Sequence, residues 1–172
     1  MSKVNKLVTV SANIATVLLC LVFGAQFLLA RMGGQPNPPR ATYQPGETIS
    51  VPGIDFQVSQ MSIVLVVRKD CRFCHASMPF YQRLSRAAGP KGIRTIVLTS
   101  DDLDVSRRYF EASNIPVDEF VQKKGADAKL GETPIVLIVD STGTVKGTFV
   151  GLQDVPAEDT IVRQITEGAF GG

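Results

Sequence analysis

The sequence predicts an α/β domain, a central mixed β-sheet flanked by helices, carried behind an N-terminal apolar segment. Three observations predict it. Residues 62–67 (SIVLVV), 93–98 (IRTIVL) and 135–139 (IVLIV) are short, β-branched and largely apolar, as expected of strands buried on both faces. The stretches between them repeat apolar residues every three or four positions, which is the helical period. Ahead of both, residues 7–30 contain no charged side chain.

Composition narrows the function classes. A chain of 172 residues is one domain, two at most. With 44% hydrophobic and 20% charged residues it is neither disordered nor collagen-like. The net charge is +2, and Lys3 and Lys6 precede the apolar run while every acidic residue follows it. From Arg31 onward 16 basic residues face 16 acidic ones, so no basic face for nucleic acid is expected. Three cysteines and one histidine are too few for a disulfide scaffold or a four-ligand zinc site. No metal and no organic cofactor is expected.

The elements follow in chain order. Residues 1–6 form a short tail. Residues 7–30 (LVTVSANIATVLLCLVFGAQFLLA), at about 1.5 Å per residue, span roughly 36 Å and so cross a hydrocarbon core of about 30 Å with some tilt. A cleaved signal peptide usually has a shorter apolar core and a small-residue cleavage site. Neither is present, and Leu19 before Cys20 is larger than a lipoprotein site expects. The segment therefore reads as a transmembrane anchor, with Cys20 inside it. The two N-terminal lysines favour an inside N-terminus and an extracytoplasmic C-terminal domain, on the periplasmic side. Residues 31–46 hold four prolines and three glycines and read as a stiff, partly polyproline linker.

Residues 47–172 form the folded domain. Residues 49–51 and 54–58, about Pro52-Gly53, are expected as a short leading strand pair. The strand at 62–67 leads into a helix over 72–88, which Gly89-Pro90 ends. The strand at 93–98 precedes a helix over 105–112, with Asp101, Asp102 and Asp104 at its N-terminal side, where carboxylates are favoured. Residues 119–121 form a short strand. The strand at 135–139 turns through residues 140–143 into a strand at 144–150, an antiparallel hairpin. A helix over 157–167, with Ile161, Val162 and Ile165 inward, closes the domain.

Cys71-Arg72-Phe73-Cys74 falls between the strand at 62–67 and the helix after it. A C-x-x-C at such a junction reads as a redox pair for an electrostatic reason. Thiols at a helix N-terminus face unsatisfied backbone N–H groups and the positive end of the helix dipole. Lowering a thiol pKa from about 8.5 to about 7 raises its thiolate share at pH 7 from roughly 3% to roughly half, a differential of about 2 kcal/mol. Arg72 and His75 are candidates for tuning that acidity. Cys71-x-x-Cys74-His75 is also the attachment sequence for c-type haem. Against haem, the motif sits in an α/β pattern, and Met78 is too close along the same helix to serve as a second axial ligand.

The stretch resembles the active site of a thioredoxin-fold protein, most similar to the membrane-anchored TlpA/ResA-type thiol-disulfide oxidoreductases. The resemblance rests on Cys71-x-x-Cys74 after an apolar strand, on Pro79 where such folds kink their first helix, and on Gly131-Glu132-Thr133-Pro134 before the strand at 135–139. It covers roughly residues 47–167. It implies a thioredoxin-like fold, a cis Thr133–Pro134 loop that presents backbone to a partner segment, and an extra βα insertion in the long interval between Cys74 and Pro134. It also implies redox-active Cys71 and Cys74, and partners that are protein thiols or disulfides met at the membrane or outside the cytoplasm. Two departures are visible: no tryptophan precedes Cys71, and Phe73 stands where a proline often precedes the second cysteine. The alternatives to exchange are a haem-binding protein and a non-catalytic binding module on the same fold. In the arrangement expected, Cys71 is partly exposed and acidic, and Cys74 lies a turn inside, shielded by Phe73 and the sheet.

If residues 7–30 are retained as an anchor, N-terminal sequencing of protein extracted from membranes finds a start at or near Met1. A start between residues 25 and 40 contradicts the anchor.

Overall fold

Residues 61–67, all seven buried, form the central strand β1 (Met61–Val67). A computed structural model of the chain describes residues 42–124 and 128–170. The anchor expected over 7–30, the tail before it and the linker up to residue 41 lie outside these residues. Among the described residues, no helix is long and apolar enough to cross a membrane.

After β1 the chain runs through α1 (Arg72–Ala76), α2 (Met78–Ala88), β2 (Arg94–Thr99), α3 (Leu103–Ala112), β3 (Glu119–Gln122), β4 (Ile135–Asp140), β5 (Val145–Val150) and α4 (Val155–Glu167). The strands form one sheet in the order β3-β2-β1-β4-β5. β1 pairs parallel with β2 and antiparallel with β4, with Val64 opposite both Ile96 and Leu137. β2 and β3 are parallel, and β4 and β5 form the expected antiparallel hairpin. The sheet is therefore mixed.

The alternation of side chains along β1 divides the core in two. Met61, Ile63, Leu65 and Val67 point to one face, where they meet Cys74 of α1, Phe80, Tyr81 and Leu84 of α2, Phe110 of α3, and Ile161 and Ile165 of α4. Val64 and Val66 point to the other face, against Ile49, Val51, Phe56 and Leu130. Among the described residues, α1 to α4 thus bury their apolar sides on one face, and irregular backbone covers the other. Flanking by helices was expected of the sheet as a whole. The route of the chain explains the difference: β3 lies at the sheet edge beyond β2, so the chain must return behind β2 and β1 to reach β4. Among the described residues, that return carries a 3-10 turn (Ala128–Leu130) and no α-helix. Between Cys74 and Pro134 the described residues hold α2, β2, α3, β3 and this 3-10 turn.

The leading strand pair does not form. Residues 56–58 are a 3-10 turn capped by Asp55, whose carboxylate accepts from the Gln57 N–H at 2.9 Å. Of the segment before it, Thr48 alone makes an isolated bridge, to Thr144. Ile49 and Val51 are buried all the same, so the apolar residues were legible as core while their backbone state was not. Ordered hydrogen bonding reaches back into the end of the Pro/Gly-rich stretch: Gly46 N–H donates to the Val145 carbonyl at 2.8 Å, and Thr148 Oγ1 to the Tyr43 carbonyl at 2.7 Å.

The helix expected over 72–88 is broken at Ser77. Pro79 lacks the N–H that would bond the His75 carbonyl, and Ser77 takes up the freed geometry. Its N–H reaches Phe73 O at 3.0 Å and Cys74 O at 3.2 Å, and its Oγ donates to Phe73 O at 2.9 Å. α3 begins where the acidic cluster suggested, with Asp102 accepting from the Asp104 and Val105 N–H groups at 3.0 and 3.1 Å. Arg83 of α2 reaches Glu158 at 2.6 Å and Asp159 at 2.5 Å, fastening α2 to α4.

Gly143 in the β4–β5 turn has φ +81°, and a Cβ there would stand 2.8 Å from the Ile49 carbonyl oxygen. A left-handed conformation costs a non-glycine residue about 1–2 kcal/mol, and the contact with fixed backbone adds to that. Gly143→Ala is expected to lower unfolding stability by at least about 1–2 kcal/mol in denaturant titration; an unchanged midpoint contradicts this account of the turn.

Candidate active site

Cys71 is the residue that starts α1. Its backbone is extended (φ −91°, ψ 104°), and its Sγ accepts a hydrogen bond from the Cys74 N–H at 3.2 Å, so a thiol occupies the N-cap position. On its other side the thiol meets the Thr133 carbonyl at 3.5 Å. The Thr133–Pro134 peptide bond is cis. Residues 62 positions apart in sequence are thereby brought into contact, as the Gly131–Pro134 stretch suggested. Cys71, Cys74, Thr133 and Pro134 all meet at the carboxyl end of β1.

The two thiols differ in environment. Cys71 is 8% exposed and Cys74 1%, so Cys71 is more enclosed than the sequence suggested. Burial pushes the Cys71 thiol up, but the donors around its sulfur outweigh burial. These are the Cys74 thiol, the nearby Thr133 hydroxyl, and the backbone N–H groups of Cys74 and Phe73, and they hold Cys71 below the ordinary thiol value. Burial pushes Cys74 up to about 12, and the adjoining Cys71 adds to the rise. Both are free thiols. At neutral pH the pair holds one thiol ready to ionise beside one that keeps its proton.

Neither residue expected to tune the pair does so directly. The Arg72 guanidinium lies over the Phe73 ring, 4.5 Å from its centroid. Phe73 itself is 41% exposed and does not shield Cys74. Shielding comes from Val67 of β1, Met78 of α2, and Val105, Tyr109 and Phe110 of α3, which line a void of about 10 Å³ against Cys74, room for no more than one water.

His75 is held at both ring nitrogens. Nε2 lies 2.6 Å from the Lys69 carbonyl, and Nδ1 bonds the Tyr109 hydroxyl. A carbonyl can accept only, so Nε2 carries the proton and Nδ1 accepts from Tyr109. The c-type haem reading needs an imidazole nitrogen for iron, and both are engaged by protein. Lys69 is gripped a second time, its N–H donating to Asp101 Oδ2 at 2.5 Å. His75, Tyr109 and Asp101 thus fix the loop that delivers Cys71. Tyr109 and Asp101 lie more than 25 residues from the motif, and no local pattern announces them as partners of that loop.

A pocket of about 180 Å³ opens beside Thr133 at the carboxyl ends of β1 and β2, lined by Arg68, Ser100, Lys123 and Leu130 among others. Another, of about 590 Å³, lies by Met61, Ile93 and Asp140 at the opposite end of the sheet, away from both sulfurs. Among the described residues, no cluster of histidine, cysteine and carboxylate side chains forms a metal site.

No protein-family model and no curated protein sequence matches the chain. Solved structures do. A thiol:disulfide interchange protein of the thioredoxin family from Chlorobium tepidum TLS aligns with a TM-score of 0.55 at 16% identity, covering 76% of this chain and 100% of that one. A thiol:disulfide interchange protein from Bacteroides sp. aligns with a TM-score of 0.50 at 16% identity, over 73% of this chain and 88% of its own. A peroxiredoxin-like protein from Aquifex aeolicus gives 0.52 at 15% identity, over 73% and 88%. The domain therefore has the thioredoxin-like fold.

Proposed function

We propose that this chain is a thiol-disulfide oxidoreductase, anchored in a membrane by residues 7–30, that exchanges disulfides with protein partners outside the cytoplasm. The observation that carries the exchange chemistry is the inequality of the two thiols: an N-capping Cys71 below the ordinary thiol value, one turn from a buried Cys74 held at about 12. The uncharged run at 7–30 supports the anchor.

In the reducing direction, the Cys71 thiolate attacks one sulfur of a partner disulfide. A Cys71–partner disulfide forms and the partner's other sulfur leaves as a thiolate. Cys74 then loses its proton and attacks Cys71, forming the Cys71–Cys74 disulfide and releasing the second partner thiolate. The partner gains two electrons and the pair loses two; an oxidised pair runs the same steps in reverse.

The surroundings suit an extended, apolar partner segment. Gly151 N–H donates to the Pro134 carbonyl at 2.8 Å, which fastens the loop after β5 beside the cis-proline. Val150 at the end of β5 and Leu152 on that loop are 40% and 47% exposed, and Phe73, between the two cysteines in sequence, is exposed as well. The Thr133 carbonyl meets the Cys71 thiol and the Pro134 carbonyl meets Gly151, so a partner strand laid along this backbone would run from the cysteines toward the exposed residues after β5.

With Cys20 replaced by Ser in each variant, Cys74→Ser is expected to accumulate mixed disulfides with partner proteins that dithiothreitol dissolves, and Cys71→Ser few or none. Equal trapping by both contradicts the assignment of roles. Trapping by neither favours a binding module that keeps the fold without turnover.

A further inference from the structure

Two residues from separate segments meet Cys71 directly. The Arg68 carbonyl accepts the Cys71 N–H at 3.2 Å, and the Thr133 carbonyl meets the Cys71 thiol at 3.5 Å. Both residues are also walls of the pocket of about 180 Å³ at the carboxyl ends of β1 and β2. A group held in that pocket therefore lies beside the attacking sulfur.

The lining has a one-sided chemistry. Val66, Leu98 and Leu130, members of the buried back-face core, supply its apolar part. Among the described residues, its charged members are Arg68 and Lys123, and no carboxylate lines it. Lys123 Nζ is held 2.8 Å from the Leu130 carbonyl, which fixes that ammonium in place. Arg68 is exposed and makes no ion pair among the described residues. The wider pocket at the opposite end of the sheet differs, because there Asp140 lies 3.1 Å from Lys146 and the fold meets its own charges. A lone exposed arginine is ordinarily just solvated. Arg68 instead shares a concavity with a second cation over apolar side chains, where attraction for an anion exceeds that on open surface. A volume of about 180 Å³ is below the roughly 300–1,000 Å³ of sites for free small molecules. It suits one side chain of a segment already laid along the Thr133 backbone.

We propose that this pocket is a carboxylate subsite, which receives an Asp or Glu side chain close to the attacked cysteine of a partner protein, with Arg68 as its main anchor. The inference rests on the exchange reading above and names the kind of partner that reading requires. The guanidinium fork matches a carboxylate in geometry as well as charge, and Lys123 and Ser100 stand on the same walls. The carboxylate takes no part in the electron transfer. Cys71 thiolate attacks the partner disulfide, the partner sulfur leaves as thiolate, and Cys74 closes the Cys71–Cys74 bond as before. The subsite selects among disulfides by holding one of them beside Cys71, and its cations offset the repulsion between the partner carboxylate and the thiolates.

The test uses the reduced full-length chain with Cys20→Ser and synthetic peptides that each carry one internal disulfide. Glu is placed in turn at the first three positions on either side of one cysteine, with Gln at the same position as the control. Single-turnover reduction, for which the Cys71–Cys74 pair supplies both electrons, is followed at low salt. An exposed ion pair changes an equilibrium constant by roughly 1.5- to 5-fold, so with two cations Glu at a favoured position is expected to react about 3- to 20-fold faster than Gln. Arg68→Gln is expected to cut that preference at least about twofold, Arg68→Lys to keep most of it, and about 1 M salt to remove it. Arg72→Gln removes the same charge outside the pocket and is expected to leave the Glu-to-Gln ratio unchanged. A ratio near 1 at every position overturns the proposal. So does the same preference at every position, or an equal loss in Arg68→Gln and Arg72→Gln, since either marks a diffuse field rather than a pocket. If Arg68→Gln fails to fold, Ser100→Asp places a competing carboxylate on the wall and is expected to abolish the preference; an unchanged ratio overturns the proposal. Reduction of none of the peptides contradicts the exchange reading instead. Docking is then measured by itself, with peptides that have Ser for both cysteines, as protection of Cys71 from iodoacetamide. Stronger protection by the Glu peptide, lost in Arg68→Gln, keeps the subsite, and equal protection by the Glu and Gln peptides overturns it.

Discussion

The hydrogen bond from the Cys74 N–H to the Cys71 sulfur, 3.2 Å long, is the contact on which the site depends. Helix starts ordinarily place Ser, Thr, Asp or Asn where the first orphan N–H groups need an acceptor. Here a thiol takes that position, and a thiolate accepts far better than a thiol. The helix therefore favours the ionised form of its own cap. The same bond sets the spacing of the pair, because the residue whose N–H is captured is the second cysteine. One end of α1 thus fixes both the acidity of Cys71 and the depth of Cys74.

That arrangement holds only if the loop before α1 is rigid, and the fold clamps it from three sides. Asp101, just beyond β2, takes the Lys69 N–H. His75, one turn into α1, donates to the Lys69 carbonyl, and Tyr109 on α3 holds the imidazole in the tautomer that can do so. The Thr133 carbonyl closes the remaining side at 3.5 Å. Reacting groups held on rigid elements by a second layer of hydrogen bonds keep their geometry without reorganising during reaction. The break at Ser77 contributes as well, since it lets the short α1 set its own direction while α2 packs Phe80, Tyr81 and Leu84 into the sheet.

Much of this was legible in the sequence because it is local. Three apolar runs gave β1, β2 and β4, the acidic cluster gave the start of α3, and Cys71-x-x-Cys74 at a strand-to-helix junction with Gly131–Pro134 downstream gave the cysteines and the loop against them. Non-local choices escaped. Residues 49–51 have strand-like composition, yet they cover the back face as irregular chain. Arg72 and His75 sit in the motif and carry charge or a titratable ring, yet one stacks on Phe73 and the other buttresses a carbonyl. Tyr81 was readable as core by its spacing.

The most direct test of this account is the pH dependence of alkylation at each cysteine in the reduced Cys20→Ser protein, resolved by peptide mass. The account predicts two separate profiles. Cys71 should react along a curve that levels off below the ordinary thiol pKa, and modification of Cys74 in the folded chain should still be rising at the highest pH the fold withstands, as a thiol held at about 12 requires. Two superimposed profiles levelling off at the ordinary thiol value would contradict it, for the capped and the buried sulfur would then be chemically alike.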